Sequence, residues 1–319
     1  MTEKKSNNLR VVILTGSAKT IVTPLIKAGI NVVGVSEVED NYNQPSLRRW
    51  LEKGYWAFIK RTDPPYLSLY AKKNKIAYFE KTGSKSVEFI NWLKDLNPDV
   101  LVLHQAPILP DDVIAIPHLG IINIHPSLLP RYRGSNPYFW LYYNQDFNAG
   151  VTLHFIDENV DTGPIIKQGS FKIDVGTHYS QVAYKLIHDF AIPMLIDTLK
   201  MLNKGDELSL TVQPKESPTP YAKRVSNKEY YELLDFENWD IEHLWHVLNA
   251  NEQWRDIFLP TIKRSNWYAW SLKGFEKRSV TGPFGKVDKD AQGCFIKHKQ
   301  GVIYLEQKIN ITKVLRNLF

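Results

Sequence analysis

Short apolar runs broken by turn residues dominate the first two hundred positions. Leu9–Thr15 (LRVVILT) ends in Gly16-Ser17 and has the length and make-up of a strand buried on both faces. A helical stretch follows to about Lys27, Ala28-Gly29 break it, and Asn31–Val35 (NVVGV) is a second buried strand. Such a β-α-β unit predicts parallel pairing through a right-handed crossover. In Ser86–Leu96, Val87, Phe89, Ile90, Trp92, Leu93 and Leu96 recur close to helical spacing, with Ser86 placed as N-cap and Pro98-Asp99 as the stop. Val100–Leu103 and Ile121–Ile124 read as further strands, and Val151–Ile156 alternates as a strand further along the sheet. Thr177–Leu202 predicts one long amphipathic helix.

The expected fold is therefore α/β: an open, Rossmann-like, mostly parallel sheet with helices on both faces. The character changes after Leu202. Residues 205–220 are polar and hold Pro214, Pro218 and Pro220, as a linker would. Beyond them, Trp239–Ala250 reads as a helix, and the short runs Gly293–Ile296 and Gly301–Leu305 suggest a small β-rich C-terminal domain. The expected division is 1–204 for the main domain, 205–220 for the linker and 221–319 for the smaller domain.

Composition adds exclusions. The 319 residues suit two domains, each with its own core. No apolar run approaches 18 residues, and Met1–Asn8 lack the apolar stretch of a secretory signal. Cys294 is the single cysteine, which removes a disulfide framework and argues against a cysteine-based metal site. A cytoplasmic protein without a metal is the expectation. Net charge is +6, unevenly spread: Arg48–Lys85 holds ten Lys/Arg against three acids. That excess suits a phosphate-bearing partner, or simply a solvated surface. The region Asp40–Tyr70 is also rich in aromatics (Tyr42, Trp50, Tyr55, Trp56, Phe58, Tyr66, Tyr70) and reads as helical segments joined at Pro64-Pro65.

The chemistry concentrates after Ile121. Asn123 and His125 are two apart on a strand and share a face, so the amide and the imidazole point into one pocket at the carboxyl edge of the sheet. Pro126–Pro130 bracket a loop that Arg131-Tyr132-Arg133-Gly134 closes. Thr162-Gly163-Pro164 cannot continue a regular element, so Asp161 sits on a loop. Gly16-Ser17-Ala18 lacks the Gly-x-Gly-x-x-Gly pattern, which disfavours a nicotinamide dehydrogenase. No Gly-x-Ser-x-Gly elbow occurs either. Asn, His and Asp without a covalent nucleophile suit direct attack of an amine on a carbonyl. Asn123 and a protonated His125 would stabilise the oxyanion, and Asp161 would keep His125 charged and relay the proton. His118, His154, His178 and His188 have no partner motif, and His243 and His246 read as packing residues.

The segment INIHPSLLPRYRG, with an acid 36 residues beyond His125, resembles the folate-dependent formyltransferase family over about residues 9–200. The resemblance implies that Asn123, His125 and Asp161 are catalytic and that the donor is 10-formyltetrahydrofolate. It further implies a folate pocket from His104, Ala106, Ile108 and Leu109 of the HQAPILP loop, from Ser127, Leu128, Leu129 and Pro130, and from Asp157 and Val160. The family's branches differ in acceptor. Tyr221–Arg224 and Phe236–Trp239 are similar to the C-terminal part of methionyl-tRNA formyltransferases, but the aromatic Asp40–Tyr70 region replaces their basic insertion. Residues 221–319 carry sixteen Lys/Arg against twelve acids, a modest surplus for a tRNA platform. A nucleotide-linked amino sugar is the favoured acceptor, with methionyl-tRNA next. A formyltetrahydrofolate hydrolase and a non-catalytic folate-binding module are the readings of other classes. The surplus of Trp and Tyr leaves room for a homodimer.

Overall fold

The computed structural model describes residues 8–15, 18–37, 67–80, 86–259 and 268–309. Gly16-Ser17 and all of the Asp40–Tyr70 region before Leu67 lie outside the described residues, as does much of the basic Arg48–Lys85 stretch.

Two sheets are present among the described residues. The larger has seven strands in the order β3-β2-β1-β4-β5-β6-β7. They are β1 Val11–Thr15, β2 Val32–Ser36, β3 Ala77–Phe79, β4 Val100–His104, β5 Ile121–His125, β6 Asn148–Phe155 and β7 Ile165–Lys172. The first five pair in parallel, and β6 runs antiparallel to β5. The Rossmann-like expectation is met, with a strand of opposite sense beyond β5. The smaller sheet is antiparallel, built from β8 Tyr268–Lys277, β9 Val287–Asp290, β10 Gly293–His298 and β11 Gly301–Ile309 in the order β8-β11-β10-β9.

Burial explains why the large sheet reads so clearly. Val12, Leu14, Leu101, Leu103 and Ile121 form one core with Phe89 and Leu93 of the Val87–Leu96 helix and with Leu109 and Val113. The intervening Val11, Ile13, Val100 and Val102 point to the opposite face and are equally buried. Each such aliphatic side chain contributes roughly 1.5–3 kcal/mol relative to exposure. The Val87–Leu96 helix begins as expected, with the Phe89 N–H donating to Ser86 Oγ at 3.1 Å. It ends at Asn97 in the left-handed conformation.

Four readings change. β6 is buried along nearly its whole length, so it alternates in polarity but not in exposure; it sits between β5 and β7. The long helix starts at Tyr179 and passes through a π segment, Leu186–Ala191, before Ile192–Lys204. Pro193 follows that π segment and has no N–H for the regular ladder. The helix predicted over Trp239–Ala250 is Ile241–Leu248. The linker segment does not run free: Thr211 bridges Ile165 in both directions (2.8 and 2.9 Å), and Gln213 is buried.

The described chain divides into two compact units. One gathers Met1–Arg133, Gly150–Ser170 and Tyr184–Thr219; the other gathers Gly134–Ala149, Phe171–Ala183 and Pro220–Phe319. The second unit has its own core, in which Phe139 joins Tyr230, Ile241, Leu244, Val247, Trp254, Ile296 and Ile303. No described helix is long and apolar enough to cross a membrane.

Candidate active site

The candidate site forms where β5 meets β6. Their antiparallel register sets Asn123 opposite His154 and His125 opposite Thr152. Opposed residues of an antiparallel pair project to the same side, and positions two apart share a face, so all four side chains stand together. Asp161 reaches them from the turn after β6. Its φ of +54° is left-handed backbone, which Asp tolerates better than most residues.

The Asp161 carboxylate joins three groups. Oδ1 accepts from Asn123 Nδ2 at 3.4 Å and lies 3.6 Å from His154 Nε2, while Oδ2 lies 3.5 Å from His125 Nδ1. The structure thus brings Asn123, His125 and Asp161 together. It also adds His154, which carried no motif: Nδ1–H donates to the Phe155 carbonyl at 2.8 Å, leaving Nε2 3.1 Å from Asn123 Nδ2. A signal for it did exist. Thr152 and His154 are the polar positions within an apolar strand, two apart.

His125 is almost fully buried, and its Nε2 faces the Tyr132 carbonyl at 3.0 Å. A carbonyl only accepts, so Nε2 carries the hydrogen and Nδ1 of the neutral ring presents its lone pair to Asp161. Burial is the largest influence on this ring and, with His154, lowers its pKa below the ordinary histidine value; Asp161 and the Tyr132 carbonyl push the other way without prevailing. Desolvation of the ring thus opposes the charge that Asp161 was expected to favour on His125. A ring protonated at Nδ1 would nonetheless find an acceptor at each nitrogen.

The loop after β5 is fastened by Thr152, fully buried. Thr152 Oγ1 donates to the Ser127 carbonyl at 2.6 Å and accepts from the Leu129 N–H at 3.1 Å. Gln168 Nε2 donates to both Thr152 Oγ1 and the Leu129 carbonyl at 2.8 Å. Ser127 Oγ donates to the Arg131 carbonyl at 2.6 Å. Leu128 packs over Gly150, where a Cβ would collide with it, and Pro130 follows a cis bond. Asp157 Oδ1 accepts from Thr162 Oγ1 at 2.6 Å and from the Asn159 N–H, so it shapes the turn that carries Asp161.

The residues anticipated in the HQAPILP loop separate. His104 is buried beside Thr15 Oγ1 at 3.1 Å, and burial lowers its pKa to about 4. Leu109 enters the core and Ala106 packs against it, whereas Ile108 is 75% exposed. Val160, on the Asp161 turn, is also exposed. Among the described residues no group of acidic, histidine or cysteine side chains could hold a metal ion.

An open α/β sheet ending in an amide, imidazole and carboxylate set, with no nucleophilic Ser or Cys elbow, defines a class of direct group-transfer sites. Comparison with known proteins is more specific. The Formyl transferase family model matches residues 17–199. A methionyl-tRNA formyltransferase from Clostridioides difficile is 35% identical over 238 residues, covering 74% of this chain and 75% of the relative. A sugar N-formyltransferase from Shewanella sp. shares the fold with a TM-score of 0.54 at 15% identity, covering 92% of this chain and 98% of that one. HypX from Aquifex aeolicus shares it at 0.57 and 13%; this chain spans 95% of its own length but 46% of that longer protein. The chain belongs to the formyl transferase family.

Proposed function

We propose that the protein transfers a formyl group from 10-formyltetrahydrofolate to a primary amine on a nucleotide-linked sugar. The observation that carries the reaction is the convergence of Asn123 and His125 on the Asp161 carboxylate, at 3.4 and 3.5 Å. In this reading the amine nitrogen attacks the formyl carbon directly, the new C–N bond forms as the old one breaks, and the amine proton passes to the departing nitrogen. The Asn123 N–H that rests on Asp161 at 3.4 Å is weakly held, which leaves it available to the developing oxygen charge. The proton lost by the amine is held at His125 Nδ1, between the ring and Asp161, with Tyr132 satisfying the other nitrogen. His154 keeps the second Asn123 N–H occupied and so fixes the amide's direction.

Bound 10-formyltetrahydrofolate supplies the one-carbon unit. Ile108 and Val160, large aliphatics left exposed on two loops of the same unit, support a place for its flat heterocycle in this reading. Ser127, Leu128, Leu129, Pro130 and Asp157, with His104 and the backbone at Ala106 and Leu109, complete the proposed pocket. A solved HypX, alike in fold alone, was obtained with tetrahydrofolic acid.

The sugar acceptor is supported by the end-to-end fold likeness to the Shewanella sugar N-formyltransferase and by the modest charge of residues 221–319. Methionyl-tRNA is the second reading, favoured by the name of the Clostridioides relative at 35% identity. One panel decides between them. The wild type is given 10-formyltetrahydrofolate with nucleotide-linked amino sugars, charged initiator tRNA or glycinamide ribonucleotide, and products are weighed for the gain of one CO. Formate release without an amine would indicate a hydrolase, and neither transfer nor formate release would end the enzyme reading. His125→Ala and Asp161→Ala are each expected to lower transfer by about a hundredfold or more while donor binding persists.

A further inference from the structure

We infer that Gln213, held by Arg133, is a positioning residue that fixes the spacing between the two acceptors bracketing His125. This rests on the proposed formyl-transfer site. His125 lies between the Asp161 carboxylate at Nδ1 and the Tyr132 carbonyl at Nε2. These acceptors belong to different loops, 29 residues apart in sequence. Gln213 ties one to the other. Its Nε2 donates to the Asp161 carbonyl at 3.1 Å and to the Gly163 carbonyl at 2.7 Å, clasping the turn that aims the carboxylate. Its Oε1 accepts from Arg133 Nε at 3.2 Å and Nη2 at 2.9 Å, and Arg133 is bonded in sequence to Tyr132. The two N–H groups and both lone pairs of the amide are thus used, which leaves one orientation of the side chain.

The surrounding chain holds Gln213 in turn. Arg133 Nη1 donates to the Lys215 carbonyl at 3.1 Å and Nη2 to the Pro214 carbonyl at 2.8 Å. The Tyr132 N–H donates to Thr219 Oγ1 at 2.6 Å, and Thr211 pairs with Ile165 just beyond the Asp161 turn. Gln213 and Arg133 are both buried, so the amide and the guanidinium meet out of water, where a bond to a charged donor is strong. Gln213 touches no reacting atom in this arrangement; it acts through Asp161 and Tyr132. The polar 205–220 stretch is thereby part of the site's frame.

The test combines kinetics with a direct titration of His125. Gln213→Leu keeps the side chain's bulk and removes both its donors and its acceptor. Arg133→Lys keeps the charge and loses the fork that grips Gln213. Each is measured for kcat, for KM toward 10-formyltetrahydrofolate, and for the His125 ring titration by NMR in the enzyme without substrate, where Asp161, His154 and the Tyr132 carbonyl are the groups facing the ring. Both variants are expected to lose at least about tenfold in kcat, with KM changed less than about threefold. The His125 titration should move further down as its two acceptors drift from the ring. Unchanged kcat in folded Gln213→Leu overturns the inference. So does a kcat loss with an unmoved His125 titration, since that marks a merely structural role. Because the titration needs no turnover, a wild type that proves inactive would sink the formyl-transfer reading while leaving the Gln213 clasp separately measurable.

Discussion

Gly163 is where added volume should reach the site most directly. A Cβ built there would lie 2.8 Å from the Phe155 carbonyl carbon, and nearer still to its oxygen, with the Asp157 nitrogen at 3.3 Å. Carbon–carbon contact is comfortable from about 3.5 Å, so the turn and β6 must part by about 0.7 Å for the carbon alone and by well over 1 Å to clear the oxygen. Two site groups hang on the atoms that must move. Asp161 is two residues before Gly163, and the Phe155 carbonyl is the acceptor for His154 Nδ1. Gly163→Ala should therefore displace the carboxylate and loosen the ring that orients Asn123. A misplacement near 1 Å costs about a hundredfold in rate, and forced overpacking costs about 1–3 kcal/mol in stability. The assay is kcat for formyl transfer, with urea unfolding on the same sample. Gly274→Ala, where a Cβ meets nothing within 4 Å, is the control. A folded Gly163→Ala protein with kcat within about threefold of the wild type would refute the reasoning.

Thr152→Val should cost roughly 2–6 kcal/mol in urea unfolding, because the Leu129 N–H and the Ser127 carbonyl lose a buried partner at about 1–3 kcal/mol each. Ser226→Ala should cost about 1 kcal/mol by the same measurement, since it breaks a complete capping box with Glu229. Acid should destabilise the fold through His104 and His246, whose pKa values burial lowers to about 4. Between there and the unfolded value of about 6.5 the unfolded chain binds more protons, so stability is full above pH 6.5 and falls as pH drops. The loss reaches about 3 kcal/mol per ring near pH 4, and His104→Gln should flatten the slope of unfolding free energy between pH 7 and 5. The acid limb of kcat/KM should lie below the ordinary histidine value, because the proposed proton acceptor is neutral His125; a limb above pH 7 would contradict that assignment.

Much of this was legible in the chain. Apolar runs such as VVILT and VLVLH are buried on both faces, so strand and core coincide and neighbours cannot change the reading. Asn123 and His125 share a face because strand geometry has a period of two, whatever lies beside it. The breaker residues after Asp161 put that acid on a turn, and the Ser86 cap followed from a local bond. Other elements were missed because their local signal is weak. β8 carries charged residues and Gly274, β9 is mostly charged, and the aromatic Pro137–Tyr143 helix finds its place only by packing Phe139 into the second unit's core.

The sequence alone determined the strand that bears the amide and the imidazole, the absence of a serine or cysteine elbow, and hence the class of chemistry. Tertiary structure decided which groups face that pair. His154 and Thr152 enter through the β5–β6 register, and register between strands is a non-local choice. Gln213, fifty residues beyond Gly163, enters because a polar stretch folds back along the Asp161 turn. The balance of influences on His125 is likewise non-local. Asp161 favours protonation, but the ring's burial outweighs it, and burial is a property of everything packed around the site rather than of any residue within the motif.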